Sequence, residues 1–189
     1  MIPSNLPTHG SFAATRMATF NATIVLLSLA SVAILAAGKE PTTQLHFYMH
    51  DKISNPIATA VRVIEGPQTS SAPGINFGDI YAVDDPLTTG PSPSSPLVGR
   101  AQGFSAMASQ DPAAVALLLT VNLVFTEGEY KGSTLAILSR DAISPVRELP
   151  VVGGSGAFRL ARGYVLMKTY SFSQTLGDAI LEWDVYVMH

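Results

Sequence analysis

The chain has 189 residues, is 47% hydrophobic and 13% charged, and carries a formal net charge of -3. That is enough apolar material for one ordinary domain, and the acidic balance gives no electrostatic case for binding nucleic acid or an anionic membrane surface. The absence of cysteine excludes disulfides, thiolate nucleophiles and cysteine metal sites, while fifteen glycines and thirteen prolines indicate many turns and short elements, as in an all-β domain.

The first forty residues carry a compartment signal. Ile24 to Leu35 is an apolar run of 12 residues, with Arg16 before it and Ala36-Ala37-Gly38 after it. A membrane-spanning helix needs roughly 17–25 residues and a signal-peptide core about 7–15, so the run predicts a secretory signal over residues 1–38, against the alternative of a buried helix. Met17 can serve as an alternative start, because the segment from Met17 to Gly38 is complete by itself. Cleavage after Gly38 takes Arg16 from the eleven basic residues and no acid, leaving 10 basic and 14 acidic residues, a net charge of -4. The sequon at Asn21 is lost with the leader, and none follows it. The remainder, 39–189, reads as one domain with no membrane span.

Gln44 to His50 alternates, with Leu45, Phe47 and Met49 on one side and His46, Tyr48 and His50 on the other, which predicts a half-buried strand. Asp51 to Pro56 is turn chemistry. A second strand is expected over Ala58 to Ile64, a long loop to Gly78, and a third strand over Asp79 to Val83 that runs into Asp84-Asp85-Pro86. Leu97 to Ala108 resumes strand character. The segment Ala113 to Thr126 suits a buried helix or a strand. Its β-branched content and the following Glu127-Gly128-Glu129-Tyr130 turn favour a strand from Leu117. Ser133 to Ser139 gives the next strand, Asp141 to Pro150 a loop, Gly156 to Phe172 a long strand element, and Leu181 to Met188 the last strand. About eight strands at short intervals predict a closed antiparallel barrel or a sandwich. An eight-stranded barrel has room inside for one small ligand.

No cofactor fingerprint is present, and His9, His46, His50 and His189 show no metal-ligand spacing, so no cofactor or metal is expected. Gly153, Gly154 and Gly156 mark a bend beside a strand. Without a following helix the GGSG run is not a phosphate cradle.

Four stretches in order, LHFYMHD (Leu45 to Asp51), FGDIYAVDDPLT (Phe77 to Thr88), LVGRAQGFSAMASQD (Leu97 to Asp111) and VRELPVVGGSGAFRLARGY (Val146 to Tyr164), together resemble the plant dirigent protein family. The resemblance implies an eight-stranded antiparallel β-barrel of the lipocalin-like or allene-oxide-cyclase-like kind, assembled as a homo-oligomeric dimer or trimer and secreted to the apoplast. It implies an auxiliary protein without oxidising activity. A laccase or peroxidase makes phenoxy radicals from a monolignol, and the dirigent protein directs their stereoselective coupling to a lignan. Some members instead dehydrate isoflavonoids through a quinone methide, as in a pterocarpan-synthase type of dehydratase or cyclase. A third reading is a non-catalytic barrel that binds a hydrophobic small molecule.

On the same resemblance Asp51, Asp141 and Arg147 are the acid, base and electrostatic groups of a phenol-binding pocket, and Asp84 and Ser105 contact the substrate. Each has a plainer reading beside it. Asp51 suits a turn cap, Arg147 a surface or inter-subunit ion pair, and Asp84 a cap for the turn at Pro86. The loop from Asp141 to Arg147 is one residue shorter than in lignan-forming members. Ser105 stands where those members tend to carry a tyrosine, which leaves the substrate open. Asp79 is expected to serve the fold, and the three glycines to shape the bend that aims Arg147.

Overall fold

The computed structural model describes residues 42–67 and 76–189. The signal-peptide reading of residues 1–38 lies outside the described residues. Nine strands follow in chain order: β1 (Thr42–Asp51), β2 (Ala60–Ile64), β3 (Ile80–Thr88), β4 (Leu97–Met107), β5 (Ala116–Phe125), β6 (Thr134–Ala142), β7 (Arg147–Ser155), β8 (Arg162–Phe172) and β9 (Ala179–Met188). They form one antiparallel sheet in the order β1-β9-β8-β7-β6-β5-β4-β3-β2, closed by a further pairing of β1 with β3.

The nine strands make eight staves, because β1 and β2 are two halves of one. Both run antiparallel to β3, with β1 opposite Leu87 and Thr88 and β2 opposite Ile80 to Val83. Residues 52–59 bulge out between them. Pro86 suits this break. Asp84 N–H donates across it to the Thr59 carbonyl at 2.9 Å. Strand alternation turns Pro86 to the same side two residues later, where no ladder partner needs its missing N–H. The predicted alternation in β1 holds for Phe47 and Met49, which are buried, and for His46 and Tyr48, which face outward, whereas His50 is buried against Thr88.

Two stretches differ from the sequence reading. Only residues 143–146 of the expected loop from Asp141 to Pro150 connect strands, because Asp141 lies in the last two residues of β6 and Arg147 begins β7. Their inward positions are filled by Asp141 and Arg147 where aliphatic residues would have signalled a strand. Gly156 to Phe158 is a short 3-10 turn, and β8 starts only at Arg162.

The bore is packed from one end. Phe47, Leu87, Leu123, Leu135, Leu149, Val165, Trp183 and Val185 form its core at no more than 1% exposure. Phe47 stacks on Trp183 at 6.1 Å between ring centroids. Phe158 closes the end, with its ring 4.7 Å from Tyr130, 5.5 Å from Phe125 and 4.9 Å from His189. His189 is held there by Thr43 Oγ1 at 2.9 Å and the Ala157 carbonyl at 2.8 Å. The glycine run makes this closure possible. A Cβ on Gly154 would lie 2.6 Å from the carbonyl oxygens of Phe158 and Thr134, and Gly156 takes a φ of +64°.

Emptying the Phe158 site removes a ring with no exposed surface. Phe158→Ala is expected to cost about 3–5 kcal/mol, read as a lower urea midpoint with unchanged slope. A loss below about 1 kcal/mol would show that the ring is not the structural floor.

Candidate functional site

At the opposite end the inward faces change from apolar to polar. Period 2 carries the series Leu45, Phe47, Met49 on to Asp51, and the series Val83, Asp85, Leu87 lies on the inner face of β3. Tyr81 and Ser105 are directly paired across β3 and β4, and both face inward. Asp141, Arg147 and Thr169 complete the ring from β6, β7 and β8. Strand tilt and stagger bring these positions to one level, although they sit at different points along their strands.

Arg147 and Asp141 form a buried ion pair with Nη1 3.5 Å from Oδ2, and Arg147 Nη2 donates to Thr169 Oγ1 at 2.8 Å. Arg147 Nε and Asp141 Oδ1 have no hydrogen-bond partner. Burial pushes the Asp141 carboxyl above its ordinary range, and the neighbouring guanidinium only partly offsets this.

Asp51 stands at the break in the first stave. Burial, and then the charge of Asp178, push it up to about 6. Asp178 is held as an acceptor by the N–H groups of Ile53 at 3.1 Å and Ser54 at 3.0 Å and by the Ser54 hydroxyl at 2.7 Å. Those bonds fix the segment that follows Asp51. Tyr81 is also pushed up, first by burial and then by Asp79, with a smaller contribution from Asp51.

Asp84 does not join this ring. It lies on the outer face, where the Arg100 guanidinium bonds its carboxylate and its carbonyl and Gln102 Nε2 donates at 3.0 Å. Parity decides this, because one step along β3 reverses the side, and Asp85 takes the inward place. Asp85 is wholly buried, and burial followed by the Asp51 charge pushes its carboxyl up to about 8. The nearby Thr59 hydroxyl gives its proton to the His50 carbonyl at 3.2 Å, and both Asp85 oxygens are left without a partner. Sequence reasoning missed Asp85, although counting in twos back from the apolar Leu87 would have found it. It also missed Tyr81 and Thr169, which carry no signal beyond parity.

Arg147 is not aimed by the glycines. It begins β7, whereas Val152 is the extra residue of a bulge between the pairs Ile137–Val151 and Ala136–Gly153 at the far end. Six residues of strand, about 20 Å, separate Arg147 from Gly153. Its direction comes from the alternation of Arg147, Leu149 and Val151. Asp79 serves the fold as expected, accepting from Gly66 N–H at 2.8 Å and Asn76 N–H at 3.3 Å beside Arg62. Cross-strand pairing also gathers what spacing does not show. On the outer face His46 Nδ1 lies 2.8 Å from Asp184 Oδ1, with Glu182 close by. One ligand atom from each of these three lies within 4.8 Å of the others.

The ring can hold a small polar-aromatic molecule at the end of an apolar bore, supply a cationic N–H, and move protons through carboxyl groups poised away from their ordinary range.

The Dirigent-like protein family model matches residues 42–188. Pterocarpan synthase 1 of Glycyrrhiza echinata is 45% identical over 161 residues, 84% of each chain. Dirigent protein 21 of Arabidopsis thaliana is 49% identical over 148 residues, 78% of this chain and 77% of that one. A solved pterocarpan synthase dirigent protein superposes with a TM-score of 0.75 at 42% identity, covering 80% of this chain and 98% of its own.

Removing Arg147 strands Asp141 in a dry site. Arg147→Leu is expected to cost about 3–5 kcal/mol at neutral and alkaline pH. The stranded carboxyl is then raised further above its unfolded value, so its folded form binds the extra proton. The loss therefore shrinks as pH falls and grows as pH rises. Urea titrations across pH check this, and Arg147→Leu with Asp141→Leu should recover most of the loss. A pH-independent loss would remove the ion pair as its source.

Proposed function

This chain belongs to the dirigent family, and from that premise we propose that its barrel end binds a phenolic small molecule and steers it through a quinone-methide intermediate. One observation carries the reading. Asp51, Asp85, Asp141 and Arg147 bring five unpartnered buried polar atoms to one end of an apolar bore. Dry, unpaired polar groups are costly, and a ligand with complementary hydroxyls relieves that cost.

The chemistry needs no redox step. In a phenol conjugated to a benzylic hydroxyl, a carboxylate takes the phenol proton while a carboxylic acid protonates the leaving hydroxyl. Water departs and a quinone methide forms. A second phenol hydroxyl of the substrate then adds to the electrophilic carbon and gives up its proton to a carboxylate, and the quinone-methide oxygen regains negative charge. Asp51 and Asp141 serve as the acid and base. The Arg147 guanidinium stabilises the charge growing on oxygen. Holding the two reacting ends together is worth about 7–11 kcal/mol in favourable cases.

The pterocarpan synthase relative at 45% identity favours this dehydratase or cyclase version. Ser105 favours it as well, since a short side chain opposite Tyr81 leaves width for a fused ring system. The second version is stereoselective coupling of monolignol radicals supplied by an extracellular laccase or peroxidase. The dirigent protein relative at 49% identity supports it. Secretion to the apoplast, read from residues 1–38, belongs with that version. A homo-oligomer fits both. Val61, Ala82, Phe104, Thr120 and Leu138 make a lateral row on the outer face of five strands, and its three large members, Val61, Phe104 and Leu138, are about half exposed.

Two assays test the reading. Turnover of a hydroxylated isoflavonoid without oxidase is expected, with Arg147→Ala slower by about 10²–10³-fold. Enantiomeric excess from coniferyl alcohol with an oxidase would favour the second version. Racemic product in that assay and no turnover in the first would overturn both.

A further inference from the structure

Asp85 has no role in the chemistry above, yet it is the most deeply buried acid of the ring. Tyr48 pairs with Thr88 and Met49 with Leu87. Two more steps of that antiparallel register set Asp51 opposite Asp85. The alternation that buries Met49 and Leu87 turns both carboxyl groups inward. Directly opposed residues on one face hold their Cβ atoms about 4.5–5.5 Å apart, and the Asp51 charge acts on Asp85.

No cation bonds either carboxyl, and the Arg100 charge only partly offsets the burial of Asp85. Arg100 is on the outer face, committed to Asp84. Arg147 is committed to Asp141 and Thr169. Lys52 is exposed in the break loop. The groups around the pair are the Thr59 hydroxyl in that loop, Asp178 from the β8–β9 turn, Tyr81 on the same face of β3, and His50, which bonds Thr88 at 2.7 Å behind the strand. Neither oxygen of Asp85 nor Oδ1 of Asp51 has a partner. Two opposed carboxylates in a dry wall cannot both stay ionised.

We propose that Asp51 and Asp85 share one proton across the neutral range, held on Asp85 and donated as a hydrogen bond to Asp51. Asp85 is then a positioning residue that acts through Asp51. Resting on the reading above, Asp51 passes the pair's proton to the leaving hydroxyl while Asp141 takes the phenol proton. The Asp51 O–H bond breaks as water leaves and forms again when the second phenol hydroxyl adds and releases its proton, so the pair ends with the single proton it began with. The upward displacement of both carboxyls, to about 8 for Asp85 and about 6 for Asp51, agrees with the geometry.

The test is a pH titration of the folded protein, without substrate, by carbon NMR of labelled aspartate carboxyls. Two steps well above the ordinary aspartate value of about 3.9 are expected. Asp85→Asn should abolish the upper step and keep the lower. Asp51→Asn should lower the step of Asp85, because a neighbouring negative charge is gone. If Asp85→Asn does not fold, the wild-type and Asp51→Asn titrations still decide. Ordinary titration of either carboxyl, or an Asp85 step unmoved by Asp51→Asn, overturns the proposal. In turnover, wild-type activity should fall on the alkaline side and Asp85→Asn should lose that limb, a change that a purely structural residue would not cause. Because the titration needs no substrate, absence of turnover on every phenol would refute the functional reading while leaving shared-proton behaviour independently measured.

Discussion

The barrel closes on two residue pairs. Other neighbouring strands are joined by ladders of four to ten residue pairs, but β1 meets β3 only at Tyr48–Thr88 and Met49–Leu87. The seam is reinforced by side chains. His50 Nε2 bonds Thr88 Oγ1, which also donates to the Gly90 carbonyl at 2.8 Å. Lys52 N–H is taken by the Thr59 hydroxyl at 3.1 Å. Met49 and Leu87 are buried on its inner side. The seam is short because the chain leaves the wall after Asp51 and returns at Ala60. That same departure places Asp51 at the end of its strand, opposite Asp85, with a loop rather than a ladder beside it. The closure of the fold and the polarity of the site are consequences of one broken stave.

Much of this was legible in the sequence, and the failures have physical causes. Alternation was enough where one face is apolar, as in β1 and β9. Over Ala116–Phe125 composition decided, where β-branched residues and a following turn outweighed the helical alternative. Alternation failed over Asp141 to Pro150 because the inward positions there are charged. A strand whose buried side carries Asp141 and Arg147 has the composition of a loop. The adjacent pair Asp84 and Asp85 shows the limit of reading types without counting. Both are acids, and only parity with Leu87 says which one the bore receives. Arg147 was placed by its nearness to glycines in the sequence, whereas the strand carries it away from them.

The site brings together two kinds of carboxyl group. Asp141 has a cation beside it, and its proton affinity is a contest between burial and that cation. Asp51 and Asp85 have carboxylates for neighbours, Asp178 beside the first and Asp51 beside the second, and burial with that charge raises the proton affinity of both. A folded wall with such groups is kept by tertiary constraint rather than by local preference. The ladder fixes Asp85 in place, and the bonds of Asp178 fix the segment after Asp51. Asp85, wholly buried, cannot swing into water without opening the seam.

Among the described residues, Phe158, Tyr130 and His189 close one end of the barrel and the polar ring lies at the other. A molecule bound at the polar rim leaves by the route it took in, and any water set free beneath it must pass the same way. Traffic is therefore ordered in time: a flat aromatic lodged across the rim corks the bore until it departs. The floor, far from any reacting group, thereby sets the sequence in which things arrive and go.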